Sequence, residues 1–518
     1  MPRDTKSLFF ICTIFSAVVF LLSAYFNFCY IHPDEYFQIV EFASYKLSIT
    51  PPESLAWEYA DKIRPAFQPF IAFEIFRALD FIGIRDHYTH LFSLRFSSMI
   101  FTLFSISIFC LANIRRLDQA YHKLYILATF LFWAPYFFGV RFSSEAWAGD
   151  CMLLGTSLLL CTDSIHKTAT RNIIFLIIGL FLGAAFLFRF QTAFFSLGIG
   201  AWLLFIKREK IIPITLLIMG VMAILGVGML MDRWLYGEWV CSPWLYFESN
   251  ILKGVAGEFG TKPFYIYFTW FLTFLSPPIG FIFVCSLLLL FIRLPKNLYT
   301  WMLLPFLLAH ILTGHKEIRF IFPLFLYLPI VCTLVYQYIR EHGQYPFLYQ
   351  NKAIRSTIKT LLIAGNFIFL SFFVFLSHSF SNDVKNLGPY IHEAAKRSAV
   401  HIIYDDAEAH PFILPHSRYK SNIYPMYLAE KNISNTRLLS WDSLATAVDT
   451  GGIRLISANK FDIEHAHGAK QLSGQYDIVA STIPIWVLNN PLANHLGQGI
   501  NDDLDRNTYL LIKLKAKL

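Results

Sequence analysis

Two adjacent carboxylates follow the first long apolar run of the sequence almost without a spacer. They are Asp34 and Glu35 in the stretch His32-Pro33-Asp34-Glu35, and Gln38 follows about one helical turn later. Pro33 lacks a backbone donor and disfavours helix at His32, so we expect the first helix to break here. A carboxylate held in such a place can act as a general base. The alternative is a polar turn that only ends a helix.

A second group of charges lies near the end of the apolar part of the chain. His315, Lys316, Glu317 and Arg319 place three potential cations and one carboxylate between two apolar runs. Charges at such a position are expensive unless they are paired or hydrated. Preorganised cationic donors suit a phosphate group that gains charge as its bond breaks. The alternative is a set of side chains that anchor helix ends at the membrane interface.

Other polar residues are candidates for the same chemistry. Arg141 and Glu145 stand on either side of two serines just before another apolar run, and Arg189 interrupts a pair of apolar runs. Arg64 and Gln68 lie in a segment with aromatic residues, which can stack on a carbohydrate while the polar groups bond to it. Structural alternatives exist for these residues too. The serines or Glu145 can cap a helix, and Arg189 can be paired in the protein interior.

The composition is that of a polytopic membrane protein. Of the 518 residues, 56% are hydrophobic and 17% are aromatic, which is too apolar for a soluble globular protein. The net charge is +8, but the Lys and Arg residues fall in short clusters between apolar runs, as membrane orientation signals do. Nucleic-acid binding is therefore not indicated.

The eight cysteines include no CxxC pair, so neither a disulfide framework nor a zinc site is predicted.

Apolar runs of the length that a bilayer requires predict about eleven transmembrane helices. They begin near Leu8, Phe92, Leu124, Ala146, Ile173, Thr192, Ile211, Tyr265, Leu298, Phe320 and Ile358. We expect a break at residues 189–191 and another at Pro277-Pro278. The alternate connections that carry Lys and Arg are cytoplasmic by the positive-inside rule. All the polar clusters described above then lie on the outward side, where one active site could collect them.

Two domains are predicted. Residues 1–380 form the transmembrane part, with an outer loop at residues 29–90 that includes an amphipathic interfacial helix from Gln68 to Phe81. Residues 381–518 are more polar and contain short β-prone runs separated by turn residues, which predicts a small α/β soluble domain on the outward side. The β-prone runs are residues 400–404, 452–456, 478–480 and 509–512.

Taken together, these motifs resemble glycosyltransferase family 22. The resemblance rests on His32-Pro33-Asp34-Glu35, on Arg141 with Ser143-Ser144-Glu145, and on His315-Lys316-Glu317-Ile318-Arg319. It covers roughly residues 8–340 in motif order and topology. Members of this family are mannosyltransferases of lipid-linked oligosaccharide and GPI-anchor assembly, and they have a GT-C fold. A GT-C-like fold is therefore expected for the transmembrane part.

The resemblance implies a hexosyltransferase that moves mannose, with inversion, from a polyprenyl or dolichyl phosphate mannose to a hydroxyl of an acceptor glycan or glycolipid. The reaction would take place on the luminal or periplasmic face of the membrane. Asp34 is then the expected catalytic base, with Glu35 beside it. The expected ligands of the donor phosphate are His315, Lys316, Arg319 and Arg189. The expected substrate-binding residues are His32, Gln38, Arg141, Glu145, Arg64 and Gln68.

No cofactor is expected, because the leaving phosphate needs cations rather than a proton. A divalent ion stays open as an alternative, since Asp34 and Glu35 are hard oxygen ligands.

A transporter or flippase for a lipid-linked or anionic substrate is the alternative function, but transport needs polar residues near helix midpoints, which here are mainly Phe, Leu and Ile. A receptor or scaffold would leave the loop carboxylates unexplained. Short cytoplasmic loops and the unrelated tail favour the bacterial inner membrane over the endoplasmic reticulum.

Overall fold

The computed structural model describes residues 2–26, 32–376, 387–404, 433–437, 453–459, 463, 476–481 and 509–514. The chain divides into two compact units. One unit, called here the helical unit, comprises Met1–Asn27 and Glu58–Ser377. The other, called the mixed unit, comprises Phe28–Trp57 and His378–Leu518. Residues 28–57 thus group with the C-terminal part of the chain, whereas the division expected from sequence places them with the transmembrane part.

Helices make up most of the described chain. The α-helices are α1 (Arg3–Phe26), α2 (Glu41–Lys46), α3 (Trp57–Ala60), α4 (Phe67–Phe81), α5 (His87–Ile114), α6 (His122–Leu131), α7 (Ala134–Phe138), α8 (Ser144–Cys161), α9 (Thr168–Phe188), α10 (Ala193–Ala201), α11 (Ile211–Tyr236), α12 (Ser242–Phe247), α13 (Ile266–Phe274), α14 (Pro277–Arg293), α15 (Leu298–Leu312), α16 (Phe322–Phe325), α17 (Leu328–Glu341), α18 (Phe347–Gln350), α19 (Lys352–Ser371) and α20 (Gly388–Ala395). Short π-helical segments are Tyr36–Val40, Trp202–Ile206, Glu248–Leu252 and Phe372–Leu376. The helix predicted from Gln68 to Phe81 is α4, and its position at the membrane interface stays a prediction.

Several of these helices are long and apolar enough to cross a membrane. Within the described ranges they number five, namely α1, α5, α9, α11 and the helix Lys352–Val374. The number rises to seven if α14 with α15, and Ile318–Phe325 with α17, each count as one bent span. The chain is therefore a multi-pass membrane protein. The figure of about eleven spans stays a prediction.

The breaks between apolar helices follow local sequence chemistry. A 3-10 turn, Phe190–Thr192, follows the end of α9 and precedes α10, so the predicted break around Arg189 is confirmed. α13 ends at Phe274, and α14 begins with Pro277 and Pro278. Proline suits the first turn of a helix, where the missing N–H has no intrahelical partner. The predicted break at the two prolines is also confirmed.

α9 and α11 pack at close range because glycine lies at their contact. A Cβ at Gly179 would collide with the carbonyl oxygen of Leu217, and a Cβ at Gly220 would collide with that of Leu176. Small residues let helix backbones approach closely, and such packing drives helix association in a bilayer. The contact holds α9, whose C-terminal end leads directly into Arg189.

Ion pairs join helix ends at one end of the helical unit. Asp163, after α8, lies 2.7 Å from Lys207 and 2.5 Å from Arg116, which follows α5. Arg171, in the first turn of α9, pairs with Glu209, just before α11. These five residues are called the terminal clamp. Because α8 has 18 residues, the clamp lies about 27 Å along that helix from its N-terminal end.

A mixed sheet forms part of the mixed unit. Its strands are β1 (Val400–Tyr404), β2 (Ile433–Arg437), β3 (Ile453–Asn459), β4 (Tyr476–Ser481) and β5 (Tyr509–Leu514). Their order is β2-β1-β3-β5-β4, with β1 parallel to β2 and β3, and β5 antiparallel to β3 and β4. Ile403, Ile456 and Ile512 belong to its hydrophobic core, and α20 contacts β1. The four β-prone runs coincide with β1, β3, β4 and β5.

Candidate active site

The acidic pair lies at the start of a helical segment in the mixed unit. The first backbone bonds run from the amide of Glu35 to the carbonyl of His32 at 3.1 Å, and from that of Tyr36 to Pro33 at 2.9 Å. Negative charge is favoured at this end of a helix, because its unpaired amide dipoles point toward the charge. The side chain of Asp34 is half-buried and Glu35 is buried. The acidic pair is therefore held on defined backbone.

His32 is the immediate neighbour of Asp34. Its Nδ1 lies 3.2 Å from a carboxylate oxygen of Asp34 and 3.2 Å from the amide nitrogen of the same residue. Gln38 is buried in the π-helical segment Tyr36–Val40. The predicted end of the first helix falls partly on residues 27–31, which lie outside the described residues; α1 ends at Phe26. The catalytic and substrate-binding roles of these residues stay predictions.

Glu41 is a buried acid on the same helical segment that sequence reasoning missed. It is fully buried, and neither of its carboxylate oxygens has a hydrogen-bond partner in the described part of the chain. Burial raises the pKa of Glu41 to about 9, because an apolar environment disfavours the charged form. The side chain is therefore neutral at neutral pH. Its position between apolar residues, in the run Ile39 to Ala43, is the sequence signal that could have identified it.

Replacing Glu41 with glutamine should reduce the dependence of stability on pH. The folded protein keeps a proton on Glu41 up to about pH 9, whereas the unfolded chain releases it near the ordinary value of 4.5. The free energy of unfolding therefore falls as pH rises between these values, by up to about 1.4 kcal/mol per pH unit. Thermal unfolding at about pH 5 and about pH 8 measures this.

The matched control for this prediction is Glu53→Gln, which changes an exposed acid in the same unit. Glu41→Gln should show a smaller loss of Tm between the two pH values than the wild type, while Glu53→Gln should behave like the wild type. Identical pH dependence in the wild type and Glu41→Gln would contradict a buried, protonated Glu41.

Charged side chains of the segment 315–319 form a continuous network with two other residues of the helical unit. Glu145, in the first turn of α8, lies 2.9 Å from Nη1 of Arg189 and 3.3 Å from Nη1 of Arg319. Nε of Arg319 donates to Glu317 at 2.5 Å, and Nε2 of His315 lies 2.8 Å from the other carboxylate oxygen of Glu317. These five residues are called the charge network. The network brings together residues that the sequence places in three separate segments.

Breaks in the helices position these side chains. The hydroxyl of Ser143 accepts from the amide of Ala146 at 3.3 Å, so it caps the start of α8. Arg189 has extended backbone between α9 and the following 3-10 turn, and Arg319 belongs to the 3-10 turn Ile318–Ile321. Both guanidinium groups lie near the ring of Phe320, at 4.3 and 5.3 Å from its centroid. This ring adds a cation–π attraction that helps to hold them.

His315 links the network to the loop at Gly260. Its Nδ1 lies 2.8 Å from the carbonyl oxygen of Gly260, while its Nε2 faces the carboxylate of Glu317. Both partners can accept a hydrogen bond, and only the protonated imidazole can donate to both of them. The hydrogen bond to Glu317 therefore raises the pKa of His315, and the bond to Gly260 acts in the same direction. When His315 is protonated, three cations face two carboxylates in the charge network.

Lys316 has different surroundings from its neighbours. Its ammonium group donates to the carbonyl oxygens of Lys262 at 3.1 Å, of Gly314 at 3.5 Å, and of Thr313. The residue is buried, and burial lowers the pKa of its side chain. These bonds connect two loop segments to each other. Binding of the donor phosphate by Lys316 stays a prediction, and three backbone oxygens already accept from this group.

The remaining candidate residues also lie in the helical unit. Arg141 is buried, with its guanidinium carbon 5.3 Å from the centroid of the Phe137 ring. Nη2 of Arg64 lies 3.5 Å from a carboxylate oxygen of Glu58, and Gln68 is buried in the first turn of α4. The acidic pair belongs to the mixed unit. Its combination with the charge network in one active site stays a prediction.

Metal binding was left open by the sequence. Among the residues that the structure describes, no group of three or more His, Cys, Asp and Glu side chains is arranged to hold a metal ion. The expectation that the reaction needs no cofactor stays a prediction.

Comparison with known sequences identifies relatives. The Alg9-like mannosyltransferase family matches residues 8–403. The mannosyltransferase APTG1 of Arabidopsis thaliana is 26% identical over 329 residues, which cover 61% of this chain and 56% of that protein. GPI alpha-1,2-mannosyltransferase 3 of Danio rerio is 32% identical over 118 residues, which cover 22% of this chain and 21% of that protein. The chain thus matches little more than half the length of the first relative and about a fifth of the second.

Comparison with solved structures identifies the fold. ArnT from Cupriavidus metallidurans, in its crystal structure bound to undecaprenyl phosphate, matches with a TM-score of 0.51 and 11% identity over 100% of this chain and 99% of that chain. At this identity the likeness concerns the fold alone, and it agrees with the GT-C-like fold expected from the sequence. The family match covers well over half of the chain. The chain therefore belongs to the Alg9-like mannosyltransferase family.

Proposed function

We propose that the protein is a membrane mannosyltransferase. It moves mannose from a polyprenyl phosphate mannose donor to a hydroxyl of an acceptor glycan or glycolipid, with inversion at the anomeric carbon. Family membership supports the reaction class, as do the names of the two relatives described above, which are mannosyltransferases. The undecaprenyl phosphate bound to ArnT supports a lipid phosphate as part of the donor.

The observation that carries this proposal is the charge network. A lipid phosphate gains negative charge as its bond to the sugar breaks, and preorganised cations stabilise that charge. Arg189, Arg319 and His315 supply such cations, and the two carboxylates hold them in fixed positions. Nε of Arg189 is buried without a hydrogen-bond partner among the described residues, so this guanidinium still has a donor for phosphate.

The reaction is a single displacement in this proposal. Asp34 takes the proton from the acceptor hydroxyl while that oxygen attacks the anomeric carbon from the face opposite the phosphate. The new carbon–oxygen bond forms as the bond to the phosphate oxygen breaks, and its electron pair leaves with the phosphate. Arg189, Arg319 and His315 receive the departing anion, so the step requires no general acid. Glu35 lies beside the base and supports its position.

We place this site on the luminal or periplasmic face. The alternate connections that are rich in Lys and Arg favour the cytoplasm for the opposite end of the bundle. The bacterial inner membrane is the favoured location, and the endoplasmic reticulum is the corresponding membrane in a eukaryote.

Full-length protein in lipid nanodiscs should transfer labelled mannose from polyprenyl phosphate mannose to an acceptor, and should release one polyprenyl phosphate per transfer. GDP-mannose should not serve as the direct donor, since the proposed site binds a lipid phosphate. NMR of the product should show the anomeric configuration opposite to that of the donor. Retained configuration would contradict the single displacement. Movement of intact donor across vesicle membranes without transfer would instead support the transporter alternative.

A further inference from the structure

A second polar group lies around the first turn of α4 in the helical unit. Arg64 precedes this helix and Gln68 is its second residue. Gln191 belongs to the 3-10 turn that follows Arg189, and Tyr246 belongs to α12. We call Arg64, Gln68, Gln191 and Tyr246 the glutamine cluster. Apart from the general expectation of substrate binding by Arg64 and Gln68, these residues have no role in the reaction described above.

Contacts connect the segments that carry this cluster to the end of α9. The guanidinium carbon of Arg64 lies 5.6 Å from the centroid of the Tyr246 ring, and the hydroxyl of Tyr246 accepts from the side-chain amide of Gln191 at 3.2 Å. Phe67, at the start of α4, contacts Phe188, at the end of α9, with ring centroids 5.1 Å apart. The end of α9 leads directly into the first arginine of the charge network. The first turn of α4 therefore lies against the end of α9, and Gln191 follows two residues after Arg189.

A buried carboxylate fixes the two helices that carry the cluster. Oδ1 of Asp232 accepts from the amide of Ala66 at 2.7 Å, and Oδ2 accepts from the hydroxyl of Ser242 at 2.6 Å. Ala66 is the residue before α4, and Ser242 is the first residue of α12. Asp232 therefore sets the distance between the helix that carries Gln68 and the helix that carries Tyr246.

Gln68 is the unusual member of the cluster. It is 3% exposed, and neither the nitrogen nor the oxygen of its side-chain amide has a hydrogen-bond partner among the described residues. Buried polar groups are paired in most proteins, and an unpaired one calls for an explanation. A glutamine amide carries donors and an acceptor but no charge. It therefore suits sugar hydroxyls, which both donate and accept, better than phosphate oxygens, which only accept when ionised.

We propose that the glutamine cluster binds the hydroxyl groups of the transferred hexose, with Gln68 as a specificity-determining residue. This inference rests on the proposed function, since it assumes that the hexose is bonded to the phosphate that the charge network holds. A hexose attached to that phosphate has to lie beside the cations, and both Gln191 and the first turn of α4 lie next to the end of α9 that leads into Arg189. Tyr246 offers an aromatic face for the apolar C–H side of the sugar ring.

The test is Gln68→Leu in the full-length protein, with a short-chain polyprenyl phosphate and its mannosyl ester as the two probes. Leucine removes the amide at similar volume, so binding of the mannosyl ester should weaken about tenfold through the loss of one or two hydrogen bonds. Binding of the sugar-free polyprenyl phosphate should not change. Tm should stay the same or rise, because an unpaired buried amide has been replaced by an apolar group.

Gln350→Leu is the matched control, because it changes an exposed glutamine at the end of α18. It should leave both affinities at the wild-type value. Equal weakening of both probes by Gln68→Leu, or a lower Tm with that weakening, would assign Gln68 a structural role and overturn the sugar site. Wild-type affinity for the mannosyl ester would also overturn it. Failure of the wild type to bind polyprenyl phosphate would overturn the proposed function itself.

Discussion

Replacement of Asp34 by asparagine is expected to abolish mannosyl transfer while leaving donor binding almost unchanged. Asparagine has nearly the same size as aspartate, but its amide cannot take the proton of the acceptor hydroxyl. General base catalysis contributes about 10²- to 10⁴-fold to rate, so single-turnover transfer should fall by at least that much. The measurement compares single-turnover rates with labelled polyprenyl phosphate mannose, and the affinity for polyprenyl phosphate, in the variant and the wild type.

Glu35→Gln is the matched variant, because it removes the neighbouring carboxylate on the same helical segment. Transfer should fall much less than in Asp34→Asn, since Glu35 supports the base without accepting the proton. A wild-type rate in Asp34→Asn would remove Asp34 as the base. Loss of transfer only in Glu35→Gln would assign the base to Glu35 instead.

Replacement of Arg319 by methionine is expected to lower transfer by about 100-fold or more and to weaken binding of polyprenyl phosphate. Methionine removes the charge that faces both Glu145 and Glu317. Truncating one partner of a buried ion pair costs about 3–5 kcal/mol, so the free energy of unfolding should fall as well. Affinity and rate therefore have to be measured on folded protein, below the unfolding transition. Arg319→Lys should retain part of the affinity, because it keeps a charge without the planar donor group.

The charge network should also show coupling between its members. Arg189 and Arg319 share Glu145, so the effects of Arg319→Met and Glu145→Gln should not add in the double variant. Arg77→Met is the control, since its side chain is 64% exposed and pairs with Glu74 on the surface of α4. Exposed pairs contribute about 0–1 kcal/mol, so little change is expected. Additive effects in the network would show that its residues act separately.

The features that the sequence predicts correctly depend on local chemistry. The two prolines at 277 and 278 and the polar break at Arg189 interrupt apolar helices, and both breaks are observed. Four short β-prone runs coincide with strands because their residues favour a pleated, half-buried backbone. β2 was not predicted, since Ile433–Arg437 is mainly polar and this strand lies at an edge of the described sheet.

The sequence predicts which residues belong to the candidate site, but not how their side chains pair. Charge and position identify Glu145, Arg189 and Arg319, but their pairing joins residues that are far apart in the chain, and no local pattern specifies it. The three side chains of His315, Lys316 and Arg319 are close in sequence, yet His315 and Arg319 both contact the carboxylate of Glu317, whereas Lys316 donates to the backbone carbonyls of Lys262, Thr313 and Gly314. That difference depends on how the backbone turns. Sequence alone cannot predict that the side-chain amide of Gln68 is buried without a partner among the described residues, because this depends on tertiary contacts.

The terminal clamp has a mechanical consequence for the helical unit. Arg116, Asp163 and Lys207 tie the ends of three helical segments together, whereas the charge network at the far end rests on loops and 3-10 turns. If the proposed lipid donor enters from the bilayer, the helices have to separate somewhere. Because ion pairs tie one end, we expect the separation to begin at the end that carries the charge network. A small rotation about the clamp would then displace that end much further than the clamp itself.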